Sequence, residues 1–332
     1  MKKLVSLALK ILFVAVVFYL LGKKGLISVG AFRRALDQPG RIVPAVSALV
    51  VCMFLSAIRW QWLLQAQNIH LRWVRTFQLV FIGQFFNIAL PGAVSGDFVK
   101  AFYVSNEIQG QRARAFGSIL FDRIVGLSAL VLVSAGALIS HLSSFLGTAF
   151  FSAIQAFVGT AAVCVVIFYG YLFFVREDHD PILKILNQLH VRFPKVASLT
   201  RIYEGTRHYH HHRATVFKAL LISIMIHLSV GFACIQFAYA MGETQLEPLS
   251  MLVIIPLGLL ATAIPVLPAG VGTGHAAFAG LFHLLGSARG ADIFSFYVLV
   301  QLFLGAAGGL VYLRFKTEKL PAPDFKTASS SA

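Results

Sequence analysis

Six stretches of this chain, residues 4–22, 42–58, 115–140, 149–175, 215–240 and 291–313, are apolar over close to the length that crosses a bilayer, ~20 residues for a helix. No other feature narrows the fold as much. Hydrocarbon offers no water to the backbone, so a spanning segment must close its hydrogen bonds internally. Runs of this length read as transmembrane helices. Composition agrees: 58% of residues are hydrophobic and 12% charged, against about 25% charged in soluble domains. The expectation is an all-α polytopic membrane protein.

The start, "MKKLVSLALKILFVAVVFYLLGKKG", has a basic lead and an apolar core without a small-residue cleavage site. It reads as an uncleaved first span, not a signal peptide. Orientation follows Lys and Arg. The 141–148 connection has neither, and the 241–248 connection has two Glu and neither, whereas 176–214 carries seven. The first two are expected outside and the third in the cytoplasm as a basic amphipathic loop, with both chain termini cytoplasmic. Lys23, Lys24, Arg33, Arg34 and Arg41 dissent on the outer side, where "SVGAFRRAL" suits an interfacial helix. The net charge of +15 reads as attraction to anionic lipid, roughly 1 kcal/mol per juxtamembrane cation, not to nucleic acid.

Two further apolar regions, 74–104 and 249–286, are broken by Pro and Gly. Parity requires the first to enter and leave on the inner side and the second on the outer side, as two opposed re-entrant or broken-helix hairpins. Their breaks resemble each other: "LPGAVSGD" from Leu90 to Asp97 and "LPAGVGTGH" from Leu267 to His275. With one gap, Val94 aligns with Val271, Gly96 with Gly274 and Asp97 with His275. Opposed hairpins with matching breaks are the mark of an inverted repeat, whose substrate site lies at the repeat interface. Pro91 ends the incoming helix of the first hairpin, Gly92 and Gly96 permit close backbone approach, and a second short helix starts near Ser95 or Asp97. The N–H groups of such a start suit an anion. Pro268, Gly270, Gly272, Thr273 and Gly274 form the second break.

Charges at membrane depth cost at least a few kcal/mol when unpaired. Asp97 and Lys100, three apart, share a helix face, and Asp122 and Arg123 begin the next span. They are expected to form one network, either an ion-pair staple or a substrate contact. His275 reads as a packing histidine or a titrating group. "RHYHHHR", Arg207–Arg213, lacks the partners of a metal site and reads as a basic, lipid-facing loop. "DHD", Asp178–Asp180, is a weak match to a glycosyltransferase metal motif, and Asp180 reads as an ordinary loop residue. Cys52, Cys164 and Cys234 lack metal spacing, there is no phosphate-binding loop, and no metal or cofactor is expected.

Together "FFNIALPGAVSGDFVKAFYV" (85–104), "RARAFGSILFDRIVGL" (112–127) and "LPAGVGTGHAAF" (267–278) resemble the flippase-like membrane domain of lysylphosphatidylglycerol synthases and its stand-alone relatives. The resemblance runs to about residue 316, as one domain over 1–316 followed by a polar tail, 317–332, expected to be disordered. It implies a bacterial or archaeal cytoplasmic membrane, here a bacterial inner membrane. It also implies movement of a lipid or lipid-linked group between leaflets, in relatives tied to hopanoid or isoprenoid-linked glycan pathways. It places the family's Pro-Gly break, Gly-Asp and basic residue on Pro91, Gly92, Gly96, Asp97 and Lys100, and its Asp-Arg on Asp122 and Arg123. The third block departs from the family's Gly-x-Gly-x-Arg-Glu: here Gly270 and Gly272 lead to Gly274-His275. A synthase's soluble transferase domain is not expected.

The sequence thus points to about six full transmembrane helices and two opposed hairpins, moving a phospholipid or isoprenoid-type lipid. Asn87, Pro91, Gly92, Ser95, Gly96, Asp97, Lys100, Asp122, Arg123, Pro268, Gly270, Gly272, Thr273, Gly274 and His275 are candidate substrate contacts. Anionic membrane lipids are the expected partners. Two rivals stay open: a membrane glycosyl- or lipid-modifying transferase, and a non-catalytic partner of a lipid-synthesis enzyme.

Overall fold

A computed structural model describes residues 29–89, 95–107, 112–140, 149–176, 179–193, 196–262 and 270–315. The expected first span at 4–22, the 141–148 connection, Pro91, Gly92, Asp178, Pro268 and the 317–332 tail lie outside the described residues.

Every regular element among the described residues is helical: α1 (Val29–Leu36), α2 (Pro39–Ala66), α3 (Trp73–Ala89), α4 (Ser95–Glu107), α5 (Arg112–Ser140), α6 (Ala149–Phe174), α7 (Pro181–Arg192), α8 (Ala197–Arg207), a 3-10 turn (His208–His212), α9 (Arg213–Ala240), α10 (Pro248–Ala261), α11 (Thr273–Leu284) and α12 (Gly290–Arg314). Helices α2, α5, α6 and α12, and the Leu199–Ala240 stretch that runs from α8 through the 3-10 turn into α9, are long and apolar enough to cross a membrane. The chain is therefore an all-α, multi-pass membrane protein. Helix α2 outruns its expected 42–58: Pro39 starts it, and an internal Pro44 in the second turn forgoes the bond that an N–H would make to the Gly40 carbonyl.

Helices α3, α4, α10 and α11 have 17, 13, 14 and 12 residues. None reaches the ~20 needed to span. Both pairs are hairpins. Arg75 at the start of α3 bonds Glu107 at the end of α4, with Nε 2.9 Å from Oε1. The Gly96 N–H at the start of α4 donates to Asn87 Oδ1 near the end of α3, 2.8 Å. In the second pair, Gly270 abuts Thr262 and Gly258 abuts Phe278.

The hairpins open at opposite ends of the bundle. Around Arg75 and Glu107 gather the end of α2 (Gln61 Nε2 to Leu71 O, 2.8 Å), α8 (Gln67 Nε2 to Gly205 O, 2.6 Å) and the end of α12, whose Phe315 ring lies 3.7 Å from Arg75 Cζ. At the other end, Arg41 of α2 bonds Gln236 of α9 at 3.4 Å, and Arg289 before α12 pairs with Glu243 before α10 at 3.4 Å.

Packing follows the inverted repeat. Exchanging α2 with α9, α3 with α10, α4 with α11 and α5 with α12 maps the α3–α12 contact onto α10–α5, α4–α5 onto α11–α12, and α2–α5 onto α9–α12. Helices α2 and α9 pack on each other at the centre. One departure stands out: α5 packs broadly on α9, but α12 does not pack comparably on α2. Helix α1 contacts α2, α9 and α12 there, with Phe32 5.2 Å from Phe296. Its Ala31 and Ala35 are buried and Arg33 and Arg34 exposed, the amphipathic arrangement expected of "SVGAFRRAL".

The 176–214 connection is more ordered than the loop its charge suggested. Asp180 caps α7, accepting from the Ile182 and Leu183 N–H groups, and Pro181 fills the first helical position. Asp180 is 1% exposed. It pairs with Arg207 at 2.9 Å and accepts from Tyr171 at 2.6 Å and Tyr203 at 2.9 Å. Tyr209 is fully buried, stacked 3.9 Å from Phe121, and donates to Leu63 O. The Arg207–Arg213 string therefore faces the protein at Arg207 and Tyr209, and the neighbouring histidines fill a tight turn. Among the described residues no His, Cys, Asp and Glu cluster could hold a metal.

Candidate functional site

The expected charge network is realised in part: Asp97, Lys100 and Arg123 join, and Asp122 takes a partner the sequence did not suggest. Helix α4 places Asp97 and Lys100 one turn apart, and Lys100 Nζ lies 2.8 Å from Asp97 Oδ1. The other carboxylate oxygen accepts from Arg123 Nε of α5. Asp122 turns instead to Arg59 of α2: Nε donates to Oδ1 at 2.7 Å and Nη2 to Oδ2 at 3.0 Å, a bidentate pair. The third guanidinium nitrogen, Nη1, reaches Ser223 Oγ of α9 at 2.8 Å. Close by, His227 Nε2 bonds the Gly126 carbonyl at 2.9 Å. The His227–Gly126 bond joins α9 to α5 directly, and Arg59 bridges both helices from α2.

The two ion pairs are neighbours. Asp122 and Arg123 are consecutive on α5, as are Arg59 and Trp60 on α2, and Lys100 Nζ sits 4.9 Å from the Trp60 ring, a cation–π distance. Arg59, Asp97, Lys100 and Asp122 are all buried, and the Arg123 side chain is 41% exposed. Among the described residues of the cluster, three cations face two carboxylates. The cluster therefore carries one surplus positive charge, and its most exposed member is Arg123. Arg59 escaped the sequence reading because the span was ended at residue 58. The available signal was an arginine inside an apolar run, which is a functional candidate on its own.

Gly96 is a point of close approach. A Cβ there would collide with the Gly83 carbonyl oxygen of α3 and crowd Asn87. Its N–H, expected to be open to an anion, is already donated to Asn87. At least one N–H of the α4 start is thus taken by a side chain, and Lys100 adds side-chain charge one turn on. Ser95 beside it is half-buried.

The second break uses different chemistry at the equivalent place. Gly270 and Gly272 have φ of +69° and +90°, the left-handed region that disfavours a side chain. Thr273 Oγ1 bonds Gly270 O at 3.3 Å, and the Phe294 ring packs against Gly274. His275, aligned with Asp97, lies 2.9 Å from Ser295 Oγ on α12. Ser295 Oγ donates its own proton to Ala291 O, so His275 Nε2–H is the donor and Nδ1 accepts from the Gly272 N–H. Both ring nitrogens are used, as in a packing histidine. The Asp97–Arg123 link between α4 and α5 thus has a neutral counterpart, His275–Ser295, between α11 and α12.

Of the carboxylates that would serve a transferase, the two described ones, Asp97 and Asp180, have other partners. Asp97 lies between two cations, and Asp180 binds Arg207, two tyrosines and two backbone N–H groups.

The lysylphosphatidylglycerol synthase transmembrane-region family matches residues 6–310. The UPF0104 membrane protein PH1989 of Pyrococcus horikoshii is 29% identical over 92 residues, which is 27% of this chain and 28% of that protein. The match therefore spans just over a quarter of that relative's length. No solved structure matches.

Proposed function

We propose, since the chain belongs to the lysylphosphatidylglycerol synthase transmembrane-region family, that it moves the headgroup of an amphiphilic lipid between leaflets while the tails stay in the bilayer. The observation that carries this is a pair of broken hairpins that open at opposite ends of one bundle, with a buried cluster of surplus positive charge against the first. An ionised phosphate meets a very large desolvation cost in hydrocarbon. A fixed positive charge at membrane depth lowers it, and hairpins reaching in from both sides shorten the path. A phospholipid or an isoprenoid-type lipid fits. The setting in this reading is a bacterial inner membrane with both termini cytoplasmic, and the role is transport, not group transfer. With no phosphate-binding loop in the sequence, movement is facilitated or ion-coupled.

The test is flipping of headgroup-labelled lipid in proteoliposomes, followed by quencher accessibility. Gly96→Leu and Gly272→Leu should abolish flipping while the long helices stay folded. Lys100→Gln, which cancels the surplus charge, should slow an anionic lipid more than a zwitterionic one. Wild-type flipping by both glycine variants would remove the hairpins from the path.

A further inference from the structure

We infer that the outer face of α4 and α5 is a lateral binding site for a lipid with a single-phosphodiester, net-anionic headgroup, its phosphate on Arg123 and its acyl chains on Phe98, Phe102, Leu120 and Leu127. This deepens the transport reading and rests on it for its purpose, but not for its evidence.

Helix α4 is sharply divided. Asp97, Lys100, Ala101 and Val104 are buried, whereas Phe98 and Phe102 are 62% and 60% exposed. Phe98 follows Asp97 directly, and Asp97 holds Arg123, so the exposed aromatic pair belongs to the helix to which that guanidinium is tied. On α5, Leu120 and Leu127 are 47% and 43% exposed. Arg123 stands three residues after one and four before the other, on the same helical stripe. An arginine thus interrupts an apolar stripe that faces outward in a membrane-embedded bundle. The exposed stripe of α6, with Phe157, Val163, Val166 and Ile167, lies in a run without a charged residue and supplies the contrast.

Depth fits a headgroup drawn inward. Arg123 is the twelfth residue of α5, ~16 Å along the helix axis. The 29 residues of α5 make ~43 Å, against a hydrocarbon core of ~30 Å. With α5 upright and centred on that core, Arg123 would lie ~10 Å inside its boundary on the α5 start side. A phosphate held there has begun to cross.

Charge selects the headgroup. Guanidinium forms paired, charge-assisted bonds to phosphate oxygens, and a singly charged phosphodiester cancels the surplus of the cluster. A zwitterionic headgroup adds an amine, yet both nearby carboxylates already hold cations.

The experiment is equilibrium photo-crosslinking in vesicles of equal phosphatidylglycerol and phosphatidylcholine. Benzoylphenylalanine replaces Phe98 or, as the control, Val166, and captured lipids are identified by mass spectrometry. The Phe98 position should capture phosphatidylglycerol over phosphatidylcholine in a ratio on the order of tenfold above the control. Arg123→Gln should return the ratio to the control value. Leu120→Glu, which supplies an internal carboxylate one turn from Arg123 and leaves the Asp97 contact in place, should do the same. Soluble glycerol phosphate should not compete, because it lacks chains. Equal ratios at Phe98 and Val166, enrichment that survives both variants, or competition by glycerol phosphate would each overturn the site. Enrichment in a protein that fails to flip lipid would uphold the site and sink the transport reading.

Discussion

The α3–α4 and α10–α11 hairpins hold equivalent places in the repeat and are fastened by different chemistry. The first is joined to α5 by Asp97 and Arg123, beside Lys100 and the Arg59–Asp122 pair. The second is joined to α12 by a neutral His275–Ser295 hydrogen bond. Since a neutral bond holds one hairpin, the shape of the repeat does not require buried charge. Breaking a buried ion pair is costly, but keeping one adds little stability over apolar packing. Charge at the first hairpin is therefore better explained by a task than by the fold.

The sharpest way to break the comparison is to ask whether the hairpins open on opposite membrane faces. In a variant lacking Cys52, Cys164 and Cys234, Asn187→Cys reports the face where α3 and α4 open, and Thr244→Cys the face of α10 and α11. Both positions are exposed. An impermeant thiol reagent on intact cells should label Thr244→Cys and spare Asn187→Cys. Labelling of both would refute the opposed arrangement.

Next is the contrast in charge. Asp97→Asn strands Lys100 and Arg123 and should cost about 3–5 kcal/mol, read as a lower melting temperature in detergent. His275→Gln, which can still donate to Ser295, should cost about 1 kcal/mol or less. Equal losses would erase the distinction.

The Arg59–Asp122 pair sharpens the division between staple and site. Asp122→Asn should also destabilise by about 3–5 kcal/mol, while Arg59→Met with Asp122→Leu should recover most of it. A folded double variant that still flips lipid marks this pair as structural. One that folds and fails assigns it to the path.

A further effect is expected away from both hairpins. Burial would raise the Asp180 carboxyl, but bonds from Tyr171, the Leu183 N–H and Tyr203, with Arg207 alongside, hold it below its ordinary 3.8. Its stabilisation is complete above that value and is lost as pH falls through and below it. Asp180→Asn should cost about 1–3 kcal/mol near neutrality and flatten the acid limb of the melting-temperature profile. An unchanged profile would deny Asp180 this role and return it to the loop residue its sequence context suggested.

Among the described residues, most of the long apolar helices, the short paired helices on either side of each expected break and the Asp97–Lys100 pairing were legible in the chain, because each depends on neighbours within a few residues. Apolar run length sets a span, Pro and Gly end it, and an i,i+3 spacing places two side chains on one face. Even the opposed hairpins followed from counting crossings. Partners across the bundle were not legible. Asp122 selects Arg59, 63 residues away, and Ser223 completes the contact from another helix. Asp180, in an ordinary-looking connection, is buried because Tyr171, Tyr203 and Arg207 converge on it. His275 is satisfied by a serine 20 residues on. Burial and pairing of polar groups depend on which helix faces meet, and those faces are chosen by packing over the whole bundle, where no local pattern carries the choice.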